Sequence, residues 1–284
     1  YKTAMKRVDS VISLIYSMSK AEKKAFSVQM LKDKEEKDYL VIYDIITKSK
    51  QLDSKNVKGE FHKRRPGGSF EVSIQYLYER LTDSLLTLRK KKDIYYDLLN
   101  NLCKARMLYE RSLFEECFEI LSDTIEQATY YENNEVLTIA LKLELEYLLR
   151  LNFPNLAESE LYHKHFMQNE ALKKTRKIVE QSSLHNLLKY RLSHIGSIRT
   201  SKQKQDMNDL MVNELSIAAS SGIEGNFELM RNHRLFQANY LMGAGEYKAA
   251  LNSYKELSRL FEQNRQFWSN PPIYYLSVLE GVLG

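Results

Sequence analysis

The pattern that decides the fold reads Ala105, Leu108, Phe114, Cys117, Leu121 and Thr124. The same spacing recurs at Ala238, Leu241, Tyr247, Ala250, Tyr254 and Leu257, and every member is displaced along the chain by the same offset. This offset is close to four units of about 34 residues, a known period of stacked helix pairs. The repetition therefore predicts an all-α fold in which pairs of antiparallel helices stack on one another.

Small residues stand where two antiparallel helices must cross, since the distance between helix axes depends on the side chains at the contact. Ala105 and Ala238 fill this role on the first helix of each copy. Cys117 and Ala250 fill it on the second. Each pair leaves an apolar face that only a neighbouring pair can cover, so such pairs occur in arrays. Two unrelated amphipathic hairpins are the alternative interpretation of the same pattern.

The turns between the paired helices add to the pattern. The first reads Tyr109-Glu110-Arg111-Ser112-Leu113-Phe114-Glu115-Glu116-Cys117, and the second reads Gly243-Ala244-Gly245-Glu246-Tyr247-Lys248-Ala249-Ala250. With the repeated spacing, these segments resemble the tetratricopeptide (TPR) repeat. The resemblance implies a right-handed superhelix (an α–α solenoid) of degenerate TPR-like helix pairs, preceded by a small helical lobe. The copies are degenerate because Asn101 and Arg234 stand where the family has an aromatic residue.

A wider resemblance covers most of the chain. The segments that carry it are Leu14-Ile15-Tyr16-Ser17-Met18-Ser19-Lys20-Ala21-Glu22-Lys23-Lys24-Ala25-Phe26, Tyr39-Leu40-Val41-Ile42-Tyr43-Asp44 and Tyr76-Leu77-Tyr78-Glu79-Arg80-Leu81. They are similar to a group of uncharacterised bacterial TPR-type proteins that have a basic helical amino-terminal region ahead of the array. This resemblance implies a scaffold and brings no known chemistry with it.

Composition favours a soluble helical protein. Hydrophobic residues make up 43% of the chain and charged residues 28%, with only 10 Gly and 4 Pro to form the turns of a many-stranded sheet. No apolar run approaches the ~20 residues of a membrane-spanning helix. The two cysteines, Cys103 and Cys117, fall on predicted buried helix faces. Because they form no disulfide framework, they favour a reducing cytoplasm.

Both ends of the sequence suggest a piece of a longer protein. The start, Tyr1-Lys2-Thr3-Ala4-Met5, lacks an initiator Met and the features of a signal peptide. The end, Leu279-Glu280-Gly281-Val282-Leu283-Gly284, stops inside an apolar-periodic segment. We therefore expect the helical array to be truncated at its carboxyl terminus.

Charge divides the chain into regions of opposite sign. Residues 1–92 hold 21 Lys and Arg against 12 Asp and Glu, whereas residues 93–172 hold 6 against 15. The change predicts a basic helical region over residues 1–92 and the TPR-like array over 93–284. The opposite electrostatic fields of residues 1–92 and 93–172 would permit self-association of the protein through these two regions. The basic region 1–92 could instead bind an acidic partner. The simpler interpretation of these charges is that they lie on the solvated surface and bind nothing.

The amino-terminal region is predicted to contain helices and one long loop. Ser19 and Glu22 form a capping box that starts one helix. A long apolar stripe follows Ser69 and predicts another. The expected loop, from Lys48 to Gly68, carries Lys63, Arg64 and Arg65, a candidate contact for an anionic partner. Only Phe61 could stack on a base, which argues against nucleic acid as the partner.

The middle of the array is less regular. Glu135 to Leu151 is apolar on most faces and predicts a buried helix, which Pro154 ends. A returning helix around Leu161 and Phe166 is expected, then separate helices over about 175–194 and 204–220. Pro272 suits the first turn of a last helix.

Motifs for catalysis and cofactor binding are missing. The sequence has no phosphate-binding Gly-Lys-Ser/Thr loop, no Gly-x-Gly-x-x-Gly, no His-Glu-x-x-His and no Cys-x-x-Cys. The only metal-like spacing, Glu160 and His163, is a lone pair typical of a surface contact. We therefore predict a protein that is not an enzyme and that uses neither a cofactor nor a metal.

The TPR resemblance implies a concave groove lined by the first helix of each pair. Carried over position by position, the groove residues are Arg106, Tyr109, Asn232, Asn239 and Met242, with Lys142 and Glu146 added if a slightly longer repeat follows the first pair. Leu235 replaces the lysine that accompanies Asn239 in carboxylate-binding grooves, which argues against that specificity. Polar groups beside aromatic ones suit a peptide.

The sequence thus predicts a cytoplasmic scaffold that binds another protein or a peptide, without membrane or nucleic-acid binding. The alternative is a regulator in which the array senses a partner and a further segment, such as a DNA-binding domain, acts. An enzyme is the least supported class, because no acid/base pair or nucleophile stands out.

Overall fold

The structure, a computed structural model, describes residues 2–30, 37–49, 53–90, 92–195, 200–221, 225–267 and 272–283. Over these residues the protein is all-helical, with thirteen α-helices, one short 3₁₀ helix and no strand. The chain divides into two compact units, Tyr1–Lys92 and Asp93–Gly284, each of which is described by itself. Among the described residues, no helix has the length and apolar composition needed to cross a lipid bilayer.

The first unit contains five helices around one apolar core. They are α1 (Lys2–Ser17), α2 (Lys20–Met30), α3 (Asp38–Lys48), α4 (Ser54–Arg64) and α5 (Phe70–Lys90). The core is formed by Ile15, Phe26, Ile42, Ile46, Phe61, Leu77 and Leu81, all fully buried, with further side chains around them. The spacing of three and four residues along α5 places Ile74, Leu77 and Leu81 on the buried face, as expected.

The predicted capping box is confirmed. The Ser19 N–H donates to the Glu22 carboxylate (2.8 Å), and the Glu22 N–H donates back to the Ser19 hydroxyl oxygen (3.3 Å). The backbone hydrogen bond from Ser19 lowers the pKa of Glu22 below its ordinary value. Two otherwise unpaired N–H groups at the start of α2 are thereby satisfied.

The prediction of a long loop from Lys48 to Gly68 was wrong, because α4 lies inside it. Asp53 caps this helix by accepting from the Asn56 N–H (2.8 Å). Val57 and Phe61 are completely buried, so two apolar side chains one turn apart suffice to attach α4 to the core. Residues 50–52 of the expected loop lie outside the described residues.

The second unit begins at Asp93. Its helices are α6 (Ile94–Glu110), α7 (Phe114–Tyr130), α8 (Asn134–Arg150), α9 (Glu158–Ile195), α10 (Ser201–Ser221), α11 (Phe227–Gly243), α12 (Tyr247–Gln263) and α13 (Pro272–Leu283), with a 3₁₀ helix at Arg265–Phe267. Consecutive helices pack on one another from α6 to α9, and α12 packs on both α11 and α13. Pro272 begins α13, as its fixed φ and missing N–H favour.

The two copies of the repeated pattern have the same helix bounds once the constant offset between them is applied. The pair α6 and α7 matches the pair α11 and α12 at both ends of both helices. Every buried position of the first pair is also buried in the second, including Ala105 with Ala238 and Cys117 with Ala250. The turns match as well, since Ser112 (φ 61°) and Gly245 (φ 80°) both adopt left-handed backbone.

The offset between the copies had suggested regular helix pairs of equal length. The chain between the copies does not consist of such pairs. Five helices, α6 to α10, separate the start of α6 from that of α11, whereas four pairs would require eight. The expected break between the segment around Phe166 and the helix from about Thr175 is not formed either. Instead α9 runs for 38 residues, because neither Gly nor Pro occurs within Glu158–Ile195.

The length of α9 lets it pack on two parts of the second unit. It contacts α8 as well as α11 and α10. Gly243 at the end of α11 lies against Leu192 of α9, where a Cβ would clash with the leucine methyl groups. The equivalent position in the first copy is Glu110, which is exposed. Close approach by α9 thus explains why glycine ends the second copy's first helix.

Candidate partner-binding surface

Apart from its last residue, helix α8 presents one narrow line of exposed side chains. Glu135, Ile139, Lys142, Glu146 and Leu149 are spaced by four, three, four and three residues and therefore lie on one face. We call this line the α8 stripe. Ile139 is 45% exposed and Leu149 is 61% exposed, so two apolar side chains flank a charged pair. The Lys142 Nζ lies 3.8 Å from the Glu146 Oε1.

The other faces of α8 hold the α8 stripe in place. Val136, Leu137, Ala140, Leu141 and Leu148 are buried in the second unit. At the helix start, the Asn133 side chain accepts from the Val136 N–H (3.1 Å). Glu144 is buried, and its carboxylate accepts from the Lys164 ammonium of α9 (2.8 Å). Packing on the other sides leaves the α8 stripe as the accessible face.

Arg106 and Tyr109 of α6 lie close to this helix. The Tyr109 ring stacks on Tyr147 of α8, with centroids 3.7 Å apart and planes within 6°. Arg106 is exposed and its Nε donates to Glu110 (3.2 Å). The structure therefore brings Arg106 and Tyr109, on α6, next to the helix that carries Lys142 and Glu146. These four residues were predicted from the sequence as groove residues.

Asn232 and Asn239 were expected to line an open groove, but both are buried. The Asn239 amide nitrogen donates to Leu235 O (2.8 Å) and lies 3.0 Å from the His185 Nε2, while its oxygen accepts from the Tyr254 hydroxyl (3.2 Å). Asn232 accepts from the Arg231 guanidinium (3.0 Å). The physical reason is that α9 covers this face of α11. Met242 is half-buried against the same unit's core.

His185 reaches Asn239 from α9. Burial, together with smaller contributions from the nearby cations Lys189 and Arg231, lowers the pKa of His185 to about 4. The ring is therefore neutral at pH 7, and its Nε2 can accept the hydrogen bond that the Asn239 amide donates. This neutral contact joins α9 to α11.

The predicted basic contact lies at the end of α4 in the first unit. Each of its three cations has an acidic neighbour. The Lys63 Nζ is 2.6 Å from Glu60, the Arg64 Nη1 is 3.0 Å from Asp44, and the Arg65 Nε is 3.7 Å from Asp38. Phe61 is completely buried and cannot stack on a base. The positive charge of this segment is thus partly neutralised by the fold itself.

A cavity of about 220 Å³ lies at the starts of α8 and α11. Glu132, in the turn before α8, accepts from the Phe227 N–H at the start of α11 (2.8 Å), and burial raises the pKa of its carboxyl group. Glu228 and Arg231 also line this cavity and pair with each other (2.7 Å). Within the described parts of the chain, no three His, Cys, Asp or Glu side chains are grouped to hold a metal ion.

The sequence did not predict that Ile139 and Leu149 lie on the surface. Both occur in a segment that is apolar on most faces, so periodicity could not single out the exposed ones. It also placed Cys103 on a buried face, whereas Cys103 is exposed and only Cys117 is buried. The buried face of α6 passes through Leu102 and Ala105, which turns Cys103 outward.

Comparison with known proteins identifies no relative of this chain. No protein-family model matches the chain, and neither a curated protein nor a solved structure matches it.

Proposed function

We propose that this protein is a non-catalytic adaptor that binds another protein or a peptide along α6 and α8. The observation that carries the proposal is the α8 stripe, a single accessible line on a helix whose other faces are buried or half-buried. Ile139 and Leu149 supply apolar anchors, Lys142 and Glu146 supply charges between them, and Arg106 supplies a further charge on α6. Apolar anchors with a charged rim are what protein interfaces use.

A partner segment of helical or extended form suits this surface. Ile139 and Leu149 are ten residues apart, which is about 15 Å at the rise of an α-helix. That span matches three turns of a bound amphipathic helix, whose anchors recur every three or four residues. The Lys142 and Glu146 pair between the anchors would select for complementary charge and orientation.

We further propose that the second unit is a TPR-like α–α superhelix of the kind found in the bacterial group that the sequence resembles, and that the protein works in the cytoplasm. The matching bounds and buried positions of the two helix pairs support this fold. In such an array α6 and α8 would be neighbouring first helices, which would place Arg106 and the α8 stripe on the concave side.

Affinity capture from a lysate of the source organism tests the function. The bait is the whole chain, compared with the double variant Arg106→Ala with Lys142→Ala. Because both side chains are exposed, the variant should keep its helix content while losing partner recovery at least tenfold, equivalent to more than about 1.4 kcal/mol.

The matched control is Lys248→Ala with Arg259→Ala, which removes two exposed cations from α12. It should recover the partner as the wild type does. Recovery that is the same for all three baits, or no specific partner for any of them, would contradict the proposed surface.

A further inference from the structure

Helix α9 carries a second exposed line, on the face that points away from its buried residues. Its ten members are spaced by alternating steps of four and three residues: Tyr162, Phe166, Asn169, Lys173, Arg176, Glu180, Ser183, Leu187, Tyr190 and His194. We call this line the α9 stripe. Glu180 is half-buried and the other nine are exposed. A spacing of 3.5 residues over this length places the ten positions along one side of the helix, which is the geometry in which one helix packs along another.

The apolar content of this line is concentrated at its two ends. Tyr162 and Phe166 are 69% and 61% exposed at one end, and Leu187 and Tyr190 are 47% and 63% exposed at the other. Buried aromatic side chains remove about 150–250 Å² each from water. Leaving all of them in solvent is costly, so a covering partner would stabilise the protein.

The centre of the line is charged instead. Arg176 and Glu180 pair within the helix (2.9 Å), and Lys173 pairs with Glu170 (2.8 Å). These exposed pairs contribute little by themselves. A partner that fits must therefore be apolar at both ends and must offer both signs of charge in the middle.

We infer that the partner is a second copy of α9, packed antiparallel so that two chains form a dimer. With the two-fold axis crossing the α9 stripe at the level of residue 178, Phe166 of one copy faces Tyr190 of the other, and Tyr162 faces His194. Arg176 of each copy faces Glu180 of its partner. The α9 stripe thus opposes aromatic rings at each end and opposite charges at its centre, whereas Leu187 faces Asn169 and Lys173 faces Ser183.

The length of the α9 stripe favours an interface along the whole helix and not a short contact at one point. Tyr162 to His194 is 32 residues, about 48 Å of helix, and both ends contribute apolar anchors. Because the interface is symmetric, each anchor is used twice. Stable interfaces bury about 800 Å² per partner. Four large exposed apolar side chains of the α9 stripe, Tyr162, Phe166, Leu187 and Tyr190, would supply apolar area to such an interface.

Charge reversal tests the proposal by analytical ultracentrifugation of the whole chain over a wide range of concentration. The wild type should sediment at twice the mass of the 33.4 kDa chain. Arg176→Glu alone and Glu180→Arg alone should each weaken the dimer at least tenfold, because like charges then meet across the axis. Mixing the two variants should restore it, since the carboxylate introduced in one chain then faces the guanidinium introduced in the other.

The control reverses a charge outside the interface, with Lys248→Glu on α12, and should dimerise as the wild type does. Orientation is tested in a Cys103→Ser background. A mixture of Lys173→Cys and Ser183→Cys chains should form a disulfide, while neither chain alone should. A monomer at every concentration, an association insensitive to the reversals, or cross-linking of each variant with itself would overturn the antiparallel dimer.

Discussion

Ala238 and Ala250 have no exposed surface, as expected for the small residues at the crossing of α11 and α12. Ala238→Leu or Ala250→Leu adds volume to a crossing without space for it. Each should lower the free energy of unfolding by roughly 1–3 kcal/mol, measured by urea denaturation. Ala249→Leu is the control, since Ala249 is only half-buried and should tolerate leucine at small cost. Equal losses at all three positions would contradict the crossing.

His185 makes the stability of the second unit depend on pH. Its pKa is about 4 in the folded protein, because burial disfavours the charged ring, and close to 6.5 in the unfolded chain. Between these values the unfolded state binds the proton and the folded state does not. The free energy of unfolding should therefore fall as pH drops from about 6.5 to 4, with no contribution from His185 above that window.

The variant His185→Gln keeps a hydrogen-bond acceptor for Asn239 but does not titrate. Its free energy of unfolding should depend less on pH between 4 and 6.5 than that of the wild type. His163→Gln, which changes an exposed histidine of the same helix, should keep the wild-type slope. If His185→Gln keeps that slope too, the partial burial of His185 does not depress its pKa in the folded protein.

Individual surface residues could be predicted only where local pattern decides exposure. Arg106, Lys142 and Glu146, which were placed by their positions in the TPR-like repeat, are exposed. Asn232 and Asn239 were expected on the surface and are buried, because the helix that covers them is distant in sequence. His185 is 54 residues from Asn239, and no periodicity connects two such positions.

Among the elements, α9 differs most from the expectation and gives a direct test. Its 38 residues form one continuous helix that connects two parts of the second unit. Spin labels at exposed His163 and Ser193, in a Cys103→Ser background, should be about 45 Å apart along the helix, 30 residues at 1.5 Å each. Pulsed electron paramagnetic resonance measures this distance within one chain when doubly labelled chains are diluted in a large excess of unlabelled Cys103→Ser chains, so that contacts between chains do not contribute. A distance below about 30 Å is too short for an unbroken helix of this length and would indicate the broken helix that the sequence had suggested.

The bounds of a helix could be predicted from the sequence where the helix has a regular apolar stripe or a clear capping residue. The start of α2 and the course of α5 follow from Ser19, Glu22 and a regular line of leucines. Helix α4 was missed because only Val57 and Phe61 are buried along it, and Gly59 and nearby polar residues suggest a loop. The continuity of α9 was missed because polar residues in its middle hide the fact that nothing breaks it.

At the scale of the whole molecule, the repeated pattern predicted an all-α protein and the places of two helix pairs. It did not predict what lies between them. The two regular pairs begin at Ile94 and Phe227, and much of the interval is filled by the long helix α9 and by α10, which lies close to the helix expected over about 204–220. A period can be read from two matching copies, whereas the number of elements between them depends on long-range packing. The TPR-like superhelix stays a proposal on these grounds.

Site-specific photo-crosslinking tests the adaptor proposal most directly. A photoreactive amino acid is placed at Ile139 or Leu149 on the α8 stripe, and at exposed Tyr247 on α12 as the control. The account predicts that the same partner protein is cross-linked from Ile139 and from Leu149, but not from Tyr247. It also predicts that Arg106→Ala with Lys142→Ala abolishes the product. No product from either stripe position, or an equal product from Tyr247, would contradict partner binding along α6 and α8.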